Sequence, residues 1–256
     1  MSTDAGRQPG PLPAEGSFRA SGHEAAPLSD GGPGATSARL RAAVGGMPAP
    51  AGVCRGAPGA MVVIISGPSG VGKDTIIDAL RAKHDRPDYE FIVTCTTRAA
   101  RNGEIDGRHY HFMPDSEFLA LREAGELLEA NQVHGAHWYG TPRQAVCQAL
   151  ARGHHAILKI DVQGAHAVKQ RVPDALLIFL VPPSLEALFG RLRARATESA
   201  DELEVRQRNA AIELARQGDY DHVVVNETGE VERTAARVSE IIEAERARHP
   251  ERLVEL

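Results

Sequence analysis

Seven consecutive residues, Gly67-Pro68-Ser69-Gly70-Val71-Gly72-Lys73, carry the clearest chemical signal in the chain. Glycines at this spacing let backbone N–H groups turn inward around phosphate oxygens, and a lysine directly after them reaches the β and γ phosphates of a nucleoside triphosphate. The pattern is informative only between a strand and a helix. It lies there: residues 61–66 form an apolar, β-branched run, and residues 73–83 put Ile76, Ile77 and Leu80 on one helical face. The helix N-terminus adds partial positive charge to the cradle. After the lysine, where Ser or Thr commonly ligates Mg²⁺, stand Asp74 and Thr75. A carboxylate is also a hard oxygen donor, so Asp74 either binds the metal, directly or through water, or merely favours the helix dipole. The residues alone leave both open.

A second constellation follows in residues 94–112, where Arg98 and Arg101 are three apart, then a glycine-flanked turn and Tyr110. Two guanidinium forks and a phenol suit one phosphate dianion, because arginine donates in bidentate geometry and stays charged. Standing alone, this segment reads better as a solvated loop with scattered charge.

The elements that must position these groups alternate. Strands are predicted at 61–66, 89–94, 156–160, 175–180 and 222–225, and helices at 73–83, 141–152, 164–171, 184–193, 201–217 and 231–248. Such alternation predicts an α/β fold with a parallel sheet covered on both faces. Residues 94–140 break the rhythm: they are polar and glycine-dotted, with a short helix near 116–124, and read as an insertion carrying a site. The polar stretch 191–200 reads as a lid. Residues 1–60 hold 12 of the 25 glycines, 8 of the 16 prolines and a single aromatic residue, Phe18. That composition cannot offset the entropy of ordering, so 1–60 is expected to be a disordered tail before one folded domain, 61–256.

Composition excludes several classes. A net charge of −5 gives no reason to expect nucleic acid, no run of apolar residues is long enough to span a membrane, and the tail lacks a secretory signal, so the cytoplasm is the expected setting. Cys54, Cys95 and Cys147 are odd in number and lack metal-ligand spacing, and are expected as buried or free thiols.

Over residues 61–243 the chain resembles the guanylate kinases, P-loop enzymes specific for GMP. The resemblance rests on ordered motifs: the cradle, Thr96-Thr97-Arg98 with Arg101-Asn102-Gly103-Glu104, Gly125-Glu126-Leu127-Leu128-Glu129, Tyr139-Gly140-Thr141, Ile160-Asp161-Val162-Gln163-Gly164-Ala165, Arg195-Ala196-Thr197-Glu198-Ser199, Arg206 and Val223-Val224-Val225-Asn226. It implies a P-loop NTPase-type core (61–93 and 153–256), an inserted GMP-binding subdomain (94–152) and a lid (about 191–206), with ATP as donor, GMP as acceptor and Mg²⁺ as cofactor. The implied roles are ATP binding by Gly67 to Thr75 and by Asn226, and a grip on the GMP phosphate by Arg98, Arg101, Tyr110 and Tyr139. Thr94, Glu129 and Thr141 would face guanine. Lys73, Arg191, Arg195 and Arg206 would stabilise the transferring phosphoryl group, and Asp161, with Asp74 and Thr75, would hold Mg²⁺ or its waters.

Glu129 makes physical sense in that role, because guanine shows two adjacent donors, N1–H and the N2 amine, to one carboxylate. The chain departs from the family at Lys159, where Asp or Glu is usual, and at Ala100, Ala194 and Ala196; one extra residue also precedes Tyr139. Gly-Lys-Asp-Thr resembles ribose 1,5-bisphosphate kinases as well, and inactive guanylate kinase-like binding modules are a further alternative. The acceptor motif argues against the first and the intact cradle against the second.

Overall fold

A computed structural model describes residues 53–83, 86–133, 137–195 and 200–256, with side chains undescribed at 194, 195 and 200–203. Five strands form one parallel sheet in the order β2-β7-β1-β8-β9: β1 (Val62–Ser66), β2 (Tyr89–Ile92), β7 (His155–Lys159), β8 (Leu176–Val181) and β9 (His222–Val225). Every residue of β1 is buried. Because side chains alternate across a strand, Val62 and Ile64 enter one core with α3 (Arg143–Ala151) and α4 (Val162–Arg171). Val63 and Ile65 enter the opposite core with α1 (Lys73–Ala82) and α7 (Val231–Arg248). Both faces are thus covered, as the continuous apolar strands require, and the expected doubly covered α/β fold is what the chain adopts.

The insertion contains more structure than its polarity suggested. Four strands, β3 (Cys95–Thr96), β4 (His111–Phe112), β5 (Leu127–Val133) and β6 (His137–Pro142), form a second sheet in the order β4-β3-β6-β5. It packs on α2 (Asp115–Glu123) through a small core of Cys95, Phe118, Leu121 and Leu127. Two of these strands are only two residues long, too short to show alternation. Helix α3 accordingly starts at Arg143, because Thr141 and Pro142 belong to β6. Helices α5 (Leu185–Arg195) and α6 (Ala200–Leu214), which overlap the stretch expected as a lid, pack through Leu188, Leu192 and Ala210.

Two expectations need correction. Residues 53–60 have fixed structure: Cys54 exchanges two backbone hydrogen bonds with Leu256, at 2.9 Å each, and Gly56 N–H donates to Val254 at 2.8 Å. Gly59 N–H donates to Arg252 and Ala57 N–H to Leu150. The partner strand lies about 200 residues away, so nothing local announced the pairing. The remainder of the expected tail, 1–52, lies outside the described residues. Nor are the cysteines all thiols: Cys54 is disulfide-bonded to Cys147 on α3, and Cys95 alone is free and buried.

The bridge joins residues 93 apart, and closing a loop of that size removes much denatured-state entropy. Reduction, or the C147S substitution, is therefore expected to lower unfolding stability by about 2–4 kcal/mol. Urea melts with and without reductant check this, and C147S should show no further response to reductant.

Candidate active site

The site begins where β1 ends. Gly67 has φ 143°, and a Cβ there would lie 2.4 Å from the Leu180 carbonyl oxygen on β8, so only glycine fits. Gly72, at φ 102°, would clash in the same way with the Asn226 amide at 2.6 Å. These two positions bend the loop so that α1 starts at Lys73. The Lys73 ammonium donates to the Gly67 and Pro68 carbonyls at 2.6 and 3.1 Å. Burial holds its pKa below the ordinary lysine value, and Lys159 adds to that effect, while Glu213, Asp74 and Asp161 oppose it.

The loop is braced from the side of β9. Asn226 Nδ2 donates to the Val71 carbonyl at 2.8 Å, and Arg191 donates to the same carbonyl at 2.9 Å and to Asn226 O and Thr228 Oγ1. Neither side chain lines the cleft described below. As the structure stands, Asn226 and Arg191, expected on ATP and on the transferring phosphoryl group, both brace the loop. Arg206 does line the cleft and approaches Ser69 Oγ at 3.4 Å. The Arg195 side chain falls outside the described residues.

A cleft of about 880 Å³ runs from this cradle to the inserted sheet. The donor end offers Gly67, Ser69, Gly70, Lys73 and Asp74, and α6 adds Arg206, Asn209 and Glu213. The acceptor end offers Thr94, Arg98, Arg101, Tyr110, Glu129 and Tyr139, and the end of β7 supplies Lys159, Ile160 and Asp161 between them. The structure therefore brings most of the expected residues into one space. Thr75, expected in the metal set, is exposed and is not among the residues that line the cleft. Thr141 is fully buried and reaches the cleft only through Glu129.

At the acceptor end, Arg98 is held before any ligand is considered. Its guanidinium makes a bidentate pair with Glu104, at 2.9 Å on each arm, and Nε donates to the Tyr139 hydroxyl at 3.2 Å. Glu104 also accepts from the Arg101 N–H at 2.7 Å, which ties the two arginines into one turn. The Tyr110 ring lies 5.4 Å from the Arg98 guanidinium and meets Tyr139 edge-on. Glu129 is 3% exposed. Its two oxygens accept from Thr141 Oγ1 at 2.8 Å and Asn131 Nδ2 at 2.7 Å. Burial pushes its pKa up to about 7, with the nearby Asp161 charge adding to the shift and the two hydrogen bonds opposing it.

Two hard oxygen donors border the cleft near Lys73. Asp161 Oδ1 caps α4 by accepting from Gly164 N–H at 2.8 Å, which fixes the carboxylate's direction. Asp74 Oδ1 is ion-paired with Lys159. A carboxylate fixed beside a phosphate cradle suits a hard divalent cation, which takes one or two carboxylates together with phosphate oxygens. Among the described residues another possible ligand cluster, Asp88, His155 and Glu243, sits at the opposite end of the strands, where β2 and β7 begin. Its carboxylates pair with Arg246 and Arg86.

Sequence reading missed two contributors. Glu104 stands in the same motif as Arg98 and Arg101, so the sequence carried the signal. Glu213 accepts from the Ser69 N–H at 2.9 Å across 144 residues, and only the fold reveals it.

A glycine-bent loop that opens a helix at the end of a central parallel strand, facing a cationic acceptor pocket, defines a P-loop phosphotransferase. Residues 59–245 match the guanylate kinase family model. Relatives include a guanylate kinase of Mycobacterium bovis, 47% identical over 67% of this chain and 83% of its own. The chloroplastic/mitochondrial guanylate kinase 2 of Oryza sativa is 42% identical over 78% of this chain and 69% of its own. The crystal structure of guanylate kinase from Anaplasma phagocytophilum superposes with a TM-score of 0.59 at 33% identity, covering 73% of this chain and 86% of that one. The chain belongs to the guanylate kinase family, the ATP:GMP phosphotransferases.

Glu129 gives a stability prediction. Its folded pKa lies above the unfolded value of 4.5, so the folded state is favoured by protonation, and that contribution is lost as pH rises from about 4.5 through 7. The stability of E129Q relative to the parent should therefore rise by roughly 2–4 kcal/mol between pH 4.5 and 8. Urea unfolding at the two pH values reads it, and a pH-independent difference would show that the carboxyl is not perturbed.

Proposed function

We propose that this chain transfers the γ-phosphoryl group of ATP to GMP, giving ADP and GDP, with the cleft residues in the following roles. The observation that carries the reading is a buried carboxylate, Glu129, at the acceptor end of the cleft whose donor end is the cradle. Its oxygens are oriented by Thr141 and Asn131 and retain lone pairs to accept from guanine N1–H and the N2 amine. Adenine would set an unprotonated N1 against the same carboxylate and leave buried acceptors unpaired, a loss that discriminates by about 10⁴. Thr94, buried beside it, completes the base pocket.

The acceptor phosphate is taken by Arg98, Arg101, Tyr110 and Tyr139. Glu104 holds Arg98 in one orientation, so little side-chain entropy is lost when the phosphate arrives. The donor triphosphate lies along Gly67 to Gly72, with Lys73 toward its β and γ phosphates. No protein nucleophile is needed, because a GMP phosphate oxygen attacks the γ-phosphorus in line while the bond to the β–γ bridging oxygen breaks and ADP leaves. Lys73 and Arg206, with Arg195 from the lid, stabilise charge on the transferring oxygens. Asp161 is the residue that would hold Mg²⁺ or its waters; Asp74, tied to Lys159, stands beside it. Bound Mg²⁺ would neutralise charge on the β and γ phosphates.

This activity places the chain in purine nucleotide metabolism, recycling GMP, and we assign it to the cytoplasm. No helix among the described residues is long and apolar enough to cross a membrane. The Cys54–Cys147 bridge is the feature at odds with a reducing compartment.

Coupled ADP release with GMP, AMP, UMP, CMP, dTMP and ribose 1,5-bisphosphate as acceptors tests the proposal. GMP should be the preferred acceptor by orders of magnitude, and turnover of the sugar bisphosphate without GMP would overturn it. K73A should reduce kcat by at least about 10²-fold through lost charge stabilisation. GMP affinity should weaken as pH falls from 8 to 6, because protonated Glu129 presents a donor to a donor, and E129Q should flatten that slope.

A further inference from the structure

Lys159 ends β7 and Asp74 is the second residue of α1, yet across 85 positions of sequence they form an ion pair at the seam between the two halves of the cleft. The lysine side chain is 12% exposed. A charge that deep requires a partner, and Asp74 supplies it. The same ammonium lies 4.4 Å from the centre of the Tyr110 ring. Burial lowers the Lys159 pKa, but Tyr110 and Asp74 more than offset this, so the group stays a cation. Tyr110 immediately precedes β4, a strand of two residues; a bridge to Asp106 and a hydrogen bond from Gly107 N–H at 2.9 Å hold its backbone, and the ring is placed by its neighbours. What surrounds its ring is Lys159, Arg98, Phe112 and Tyr139.

We infer that Asp74 and Lys159 act in series as one positioning unit: a residue of the donor helix orients a lysine, which in turn fixes Tyr110 for the acceptor phosphate. The inference rests on the reading of Tyr110 as a ligand of that phosphate. It makes acceptor binding sensitive to Asp74, a residue on the helix that follows the cradle. Because Asp74 acts through Lys159, its removal matters only while the lysine is present, which a double-mutant cycle detects.

The test is the GMP dissociation constant of the full chain, measured by calorimetry with neither ATP nor Mg²⁺ present. D74N and K159M should each weaken GMP about three- to tenfold, and D74N/K159M should be no weaker than K159M within about twofold. K159R, which keeps the charge on a long stem, should bind close to the parent. Additive losses in the double variant overturn the inference, and so does D74N binding GMP as the parent does. Asp74 is half-exposed, so the D74N arm stands even if K159M is poorly folded. A parent chain that fails to bind GMP while phosphorylating another acceptor would instead overturn the guanylate reading, before any variant is compared.

Discussion

The Leu180 carbonyl leaves no room for a side chain on the residue that follows β1, and the geometry of the site depends on that contact. With glycine at 67 the chain leaves the sheet at an angle closed to other residues, turns over Ser69 and Gly70, and enters α1 at Lys73. Leu180 belongs to β8, which pairs with β1 on one side while β7 pairs on the other. The cradle, the β7 end with Lys159 and Asp161, and the β9 end with Asn226 are therefore fixed by a single sheet register. Packing on both faces of that sheet holds the register, so a catalytic geometry is derived from a hydrophobic core.

The cleft lining sets five cations, Lys73, Arg98, Arg101, Lys159 and Arg206, against four carboxylates, Asp74, Glu129, Asp161 and Glu213. Arg98 is paired with Glu104, Lys159 with Asp74, and Lys73 lies near Glu213 and Asp161. Such pairing gives a modest return in net stability, because desolvation of two charges cancels much of their attraction. Its value here is orientation: Arg98 and Lys159 are each held in one place by a carboxylate, and Lys73 by the Gly67 and Pro68 carbonyls. Glu129 is the converse case, a buried carboxylate with neutral donors on both oxygens, which leaves its charge raised in energy.

The central sheet was legible because its strands are continuous apolar runs and its helices carry a single apolar face. The cradle was legible because seven adjacent residues define it. Arg98 and Tyr110 could be picked out by type and spacing, but only resemblance weighed them above a solvated loop and added Glu129, since neither spacing nor periodicity tells that separate segments converge. The inserted sheet escaped because its strands are short and its core is small, with Phe118 and Cys95 supplied by different segments. The clamp of 53–60 on the C-terminal residues and the Cys54–Cys147 bridge escaped for a different reason: long-range partners leave no local trace. Nor does position alone reveal that the Arg191 guanidinium donates to the backbone carbonyls of Val71 and Asn226.

Glu213 places a carboxylate oxygen on a backbone N–H of the cradle. A phosphate oxygen that takes the same N–H must send that carboxylate elsewhere, so donor binding is an exchange of one anion for another and not a simple addition. Glu213 rides on α6 two turns beyond Arg206, and α6 packs on α5. On the proposed placement of the triphosphate, the helix that gives up this contact is the one carrying Arg206, and the posture of α6 becomes a mechanical record of whether the donor is in place.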